Sequence, residues 1–302
     1  MTKLASSPRW AFQVLAEQFL PLTLVAVAAG VVWRSALAEL ATLWQTDPNC
    51  SHGPLVVIGA LAFAVMAGRQ HGVRPVRQCV SRSETATGIV SVVLGLVLHL
   101  AAWFVASLLL DVASLVVVGW GVATALGGNE ARRVYRFPIA FLLFAAPLPV
   151  AWHQAAATSL QSLVAAVATG LLHLSGVAAF RTGNVIALPN YALEVGQACS
   201  GLRQLAALVA LAAAIGFVAG RGGKFVTALV LLSVPVAVVA NCLRAVMTGL
   251  IVAWLGPEWA QGAYHTLEGL CVVALAAGLL IGLAWLMARC DCRAGRETPP
   301  LS

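Results

Sequence analysis

The run FVTALVLLSVPVAVVANCLRAVM, residues 225–247, holds 23 residues and one charge, Arg244. About 20 consecutive apolar residues are what an α-helix needs to cross the hydrocarbon core of a bilayer. The run therefore predicts a membrane helix, entered from the basic pair Arg221 and Lys224. Its strongly polar residues, Asn241 and Arg244, are gathered at the far end. An arginine there is costly unless it has a partner or reaches water, so this end of the helix is a candidate functional site.

The rest of the chain repeats the pattern. Of 302 residues, 61% are hydrophobic and 10% charged, against roughly 25% charged in a soluble domain. Mean hydropathy is +0.92. Apolar runs fall at about 15–33, 53–68, 87–107, 112–128, 137–152, 202–219, 225–247 and 267–288. Runs of this length, rather than alternating ten-residue segments, exclude an outer-membrane barrel. The fold class is an all-α integral membrane protein of about eight transmembrane helices in one domain, residues 1–302. The first run starts late and lacks a small-residue cleavage site, so it is read as a retained span. Residues 177–198 form a loop of turn and strand formers, and 289–302 a basic tail.

Positive charge orients the spans. With the N-terminus in the cytoplasm, the inner segments hold Lys3, Arg9, Arg69, Arg74, Arg77, Arg82, Arg132, Arg133, Arg136, Arg221, Lys224, Arg289, Arg293 and Arg296, which is 14 of the 18 basic residues. The net charge of +7 thus follows the membrane and implies lipid, not nucleic acid, as the partner. Parity requires that 154–176 does not cross. Its stripe of Leu160, Leu163, Val164, Val167, Leu171 and Leu174 suits a helix lying along the outer interface. The alternative is a true crossing paired with a re-entrant 137–152.

In this orientation a second polar island, EVGQACSGLR at 194–203, faces outward where the span over 202–219 begins. Asn241 and Arg244 close the 225–247 span on the same side, and His265 precedes the last span there. Cys199, Arg244 and His265 are therefore expected at one depth. A thiol becomes a nucleophile beside a cation or a helix N-terminus, and Arg203 lies one turn after Cys199. A histidine can take the thiol proton or give one to a leaving amine. An arginine stays charged and can stabilise an oxyanion. Each residue also has a bland role: Arg244 can snorkel, Arg203 can pair with Glu194, His265 can be a loop histidine, and His52 can cap the second span. His99 and His173 have no evident partner. The seven cysteines, at 50, 79, 199, 242, 271, 290 and 292, offer no disulfide framework, and no metal or cofactor is expected.

The chain resembles the exosortase branch of the exosortase/archaeosortase family. The matching residues are Gly183-Asn184-Val185-Ile186-Ala187-Leu188-Pro189, Leu193-Glu194-Val195, Ala198-Cys199-Ser200-Gly201-Leu202-Arg203, Asn241-Cys242-Leu243-Arg244 and the His265 region, with Ser51-His52-Gly53-Pro54-Leu55 resembling the family's first outer loop. Gly196-Gln197 departs from the Ala-Glu pair expected before Ala198.

The resemblance implies a membrane-embedded cysteine protease or transpeptidase of the bacterial inner membrane. Its substrates would be exported proteins ending in a short motif, often Pro-Glu-Pro, a hydrophobic helix and a basic tail. The family's catalytic cysteine, arginine and histidine map onto Cys199, Arg244 and His265, with Glu194, Ser200, Gly201, Arg203, Asn241 and His52 as supporting or substrate-binding candidates. Transfer to an amine and hydrolysis are both compatible with this assignment. The rival from another class is a transporter or polymer-export subunit that binds an anion through Arg203 and Arg244; it predicts a dispensable Cys199.

Overall fold

The computed structural model describes residues 8–72, 76, 79–189, 191–195, 201–260 and 262–294. They form two compact units, Met1–Pro149 and Val150–Ser302. The first unit begins with α1, Pro8–Val32, and α2, Arg34–Thr46. The two meet at 78°. Trp33 at the bend is buried, and its Nε1 donates to Ser114 Oγ at 2.8 Å. After the 3-10 turn Pro48–Cys50 come α3, Gly53–His71, and α4, Arg82–Val105. Ser81 and Glu84 cap α4 reciprocally as a capping box.

α5, Leu108–Phe141, is a helical hairpin. Its backbone breaks at Gly128, with φ 74° and ψ −174°. The two legs fold back on each other: Trp120 Nε1 donates to Arg136 O at 3.1 Å, although the residues are 16 apart. This separates the runs expected at 112–128 and 137–152, while the helix of the second leg starts well before residue 137. Glu84 of α4 seals the turn, its Oε1 accepting from the Asn129 N–H at 2.9 Å. α4 and the first leg pack through small residues: a Cβ at Gly88 would stand 2.6 Å from Ala125 N, and one at Gly121 2.8 Å from Gly88 O. Such close backbone approach is how helices associate where lipid removes the hydrophobic drive. Gly128→Ala is expected to cost at least about 1–3 kcal/mol, because only glycine occupies this backbone region freely and the new Cβ would sit 3.0 Å from Glu84 Oε1. Thermal unfolding in detergent checks it.

His99 has a partner after all. Its Nδ1 lies 2.7 Å from Asp111 Oδ1 across the tight α4–α5 connection, with the Trp33 ring 4.8 Å away. His173, in the second unit, bonds Ala179 O. Neither pairing shows in the sequence, because each partner lies beyond the helix that carries the histidine.

The second unit opens with α6, Val150–Leu174, and a three-stranded antiparallel meander of β1, Phe180–Thr182, β2, Val185–Leu188, and β3, Tyr191–Glu194. Strands within 177–198 were expected. α7, Gly201–Val218, α8, Gly223–Leu255, and α9, Gly262–Ala294, follow. Leu208 and Ala212 of α7, Leu229, Ala237 and Ala240 of α8, and Val272, Ala276 and Leu280 of α9 form one buried core. A second core joins the sheet to α6 and α8.

Among the described residues, six helical segments are long and apolar enough to cross a membrane, or seven if the bent pair Leu20–Val32 and Arg34–Thr46 is one span. The chain is thus a mostly helical, multi-pass membrane protein, but eight spans is not the number that length and composition return. Leu108–Ala145 counts once despite folding back, and the apolar part of α7, Arg203–Val218, is short. Ala157–Leu174, inside the segment expected to lie along the outer interface, is among the six on length and composition alone. In the fold its apolar stripe divides, with Val164 fully buried while Leu163, Val167, Leu171 and Leu174 face outward.

Candidate functional site at the junction of α8 and α9

The sheet rests on α6 and α8. Strand alternation turns Ile186, Leu188, Leu193 and Val195 inward, and all are buried with Val164, Ala168 and Leu172 of α6 and Cys242, Ala245 and Val252 of α8. Cys242 and Ala245 bracket Arg244, so the turn of α8 that carries it belongs to the same buried cluster as the sheet's inner face. Gly249 of α8 allows the fit: a Cβ there would lie 2.8 Å from both methyl carbons of Leu172.

Arg244 reaches from α8 to α9. A Cβ at Gly269 would stand 3.0 Å from its Nη2 and 3.2 Å from its Cζ, so the guanidinium lies against bare α9 backbone. Gly269 is four residues, one helical turn, after His265. α9 thus brings the His265 position and the Arg244 guanidinium to neighbouring turns of one helix face. The described structure of His265 is its helical backbone within α9.

Two further groups tie the helices together here. Glu268 is 7% exposed, and its Oε1 accepts from Thr248 Oγ1 at 2.7 Å. Thr248 is fully buried one turn after Arg244, and its hydroxyl also lies 3.0 Å from Arg244 O. A hydroxyl has one proton to give, and a carboxylate is the stronger acceptor. Thr248 is not legible in the sequence, because a threonine inside an apolar run carries no signal until its helix face is known. Glu268→Leu is expected to cost about 1.5–3 kcal/mol, the net worth of a hydrogen bond to a charged group. Glu268→Gln, whose amide oxygen still accepts, should cost less; unfolding midpoints of the two variants check the order.

Asn241, one turn before Arg244, is 1% exposed. Its Oδ1 and Nδ2 are both buried, with no hydrogen-bond partner among the described residues. The short turn through Gly220–Gly222 makes α7 and α8 antiparallel neighbours, which brings the start of α7 to this end of α8. Cys199 and Ser200 lie outside the described residues, between Val195 at the end of β3 and Gly201 at the start of α7. Arg203 is exposed on α7's first turn and Glu194 exposed on β3. Among the described residues the two form no ion pair. His52 belongs to the first unit, where its Nε2 bonds Phe144 O at 3.0 Å; its side chain does not cap α3. Among the described residues no three His, Cys, Asp or Glu side chains gather as metal ligands would.

An α8–α9 clamp holding a half-buried arginine beside a histidine-bearing turn, at the mouth of a helical membrane core, defines a membrane protein with a polar site set into its bundle. The family model for transmembrane exosortases matches residues 44–282, most of the chain. The protein belongs to the transmembrane exosortase family. No curated protein and no solved structure matched the chain.

Proposed function

We propose that this exosortase is a cysteine protease or transpeptidase of the bacterial inner membrane, acting on C-terminal sorting signals of exported proteins. The observation that carries the reading is the Arg244 guanidinium seated on α9 one turn from His265. Membership of the family supports it. The substrate's apolar helix lies among the spans and leaves its motif at the outer interface. The Cys199 thiolate attacks a backbone carbonyl carbon, forming a C–S bond and an oxyanion. Arg244, with Arg203 nearby in sequence to Cys199, stabilises that charge. As the tetrahedral species collapses, the C–N bond breaks and His265 gives a proton to the departing amine. An amine or water then attacks the thioester and releases the thiolate. Ser200 and Gly201, next to Cys199 in sequence, are supporting candidates, Asn241 offers its buried amide to the reacting segment, and Glu194 is a substrate-binding candidate. The distribution of basic residues supports cytoplasmic termini with the site facing outward.

The test uses the protein reconstituted in lipid nanodiscs with a reporter ending in a Pro-Glu-Pro motif, an apolar helix and a basic tail. Mass spectrometry should find the reporter cut at its motif, and prior alkylation of accessible thiols should stop the cut. Undiminished cutting after Cys199 is fully alkylated would remove this reading.

A further inference from the structure

β3 is an edge strand. It pairs with β2 in the register Val185↔Glu194, Ile186↔Leu193, Ala187↔Ala192 and Leu188↔Tyr191, and among the described residues no strand pairs with its other side. The Val195 N–H donates to Asn184 O at 3.1 Å, which fixes the phase of the ladder. Antiparallel partners alternate between bonded and non-bonded pairs. Val195, Leu193 and Tyr191 therefore turn their N–H and C=O groups toward β2, while Ala192 and Glu194 turn theirs away. Side-chain burial follows the same alternation: Leu193 and Val195 are buried, Ala192 and Glu194 exposed. Among the described residues, no backbone bond from outside the sheet reaches Ala192 or Glu194.

An open row of backbone donors and acceptors is a template for another extended chain. This one has a particular address. Its inner face shares a buried cluster with Cys242 and Ala245, on either side of Arg244. Its chain runs on to Cys199 five residues past Glu194, a reach of at most about 18 Å. We infer that the outer edge of β3 binds the extended substrate segment by strand addition, through the outward N–H and C=O groups of Ala192 and Glu194. The occupant is a polypeptide in extended conformation just before its membrane helix. The buried cluster that the sheet shares with α6 and α8 then ties the held segment to the turn that carries Arg244. The strand is only four residues long and carries Glu194 at its edge, features that discourage pairing with a second copy. This inference rests on the proposed function and names how its substrate is held.

The test is Ala192→Pro. Proline removes the outward N–H and leaves the β2 ladder intact, since edge positions tolerate it. Cleavage of the reporter should fall about tenfold, the worth of one lost backbone hydrogen bond, while Cys199 still reacts with iodoacetamide at the wild-type rate. A folded Ala192→Pro that cleaves at the wild-type rate overturns the inference. Because that variant could fold poorly, a second measurement uses the Cys199→Ala background and a reporter with one cysteine beside its motif. Ala192→Cys should form a disulfide with it under mild oxidation, and Phe180→Cys, on the opposite edge strand, should not. Crosslinking at position 180 but not 192 also overturns strand addition at β3. Normal cleavage by Cys199→Ala itself would instead sink the proposed function, so the two failures are told apart.

Discussion

Cys199→Ala is expected to leave a tailed reporter wholly uncut in the native host, with the protein still inserted and folded. Removing the nucleophile of a catalytic set costs about six orders of magnitude in rate, which takes processing below any practical detection limit. Among the described residues of the second unit, neither remaining thiol is placed to stand in. Cys242 is buried on α8 among the sheet residues. Cys271 is exposed on α9, six positions after His265, and so off the face that His265 shares with Gly269. Cys199→Ser should be nearly as inactive, since a hydroxyl is far less ionised than a thiol near neutral pH. A transporter that binds an anion through Arg203 and Arg244 would be indifferent to both changes. Processing that persists in Cys199→Ala, by anti-tail immunoblot, would favour that class instead.

Most of the membrane architecture was legible because it rests on one-dimensional signals. Length and apolarity locate the spans, and Gly127-Gly128 with the nearby Arg132, Arg133 and Arg136 marks where α5 turns back. What one dimension does not carry is which side of a helix meets protein. On α6 the apolar stripe divides, with Val164 buried and Leu163, Val167 and Leu171 facing outward. The site divided along the same line. Arg244 and His265 could be named from their types and from the charge-based topology. The groups that hold them could not. Thr248 and Gly269 have ordinary sequence surroundings, and their roles exist only because α8 and α9 meet at those turns. Asp111 sat twelve residues from His99 in plain view, yet pairing them needed the tightness of the turn between α4 and α5.

Arg244→Lys is expected to lower the rate of reporter cleavage at saturating substrate by about 10²-fold, and Arg244→Ala by about 10³-fold, the range for losing one oxyanion donor. Lysine keeps the charge, so the loss isolates what the planar fork contributes. The fork needs its seat. With no Cβ at Gly269, the guanidinium lies close against α9; a rotatable ammonium has no such surface to register against. Gly269→Ala tests this without touching the arginine. Its methyl would press to 3.0 Å from Nη2 and 3.2 Å from Cζ, forcing the group to shift by a few tenths of an ångström, and the rate should fall by a smaller factor of about ten, since even small misplacements of reacting groups are costly. A role in the transition state alone predicts that kcat falls in all three variants while KM stays near wild type. If Arg244 only anchors the end of α8 at the interface, the three variants should instead lose thermal stability and keep kcat. Full activity in Arg244→Lys would mean that a point charge suffices and that the close seat on Gly269 serves packing.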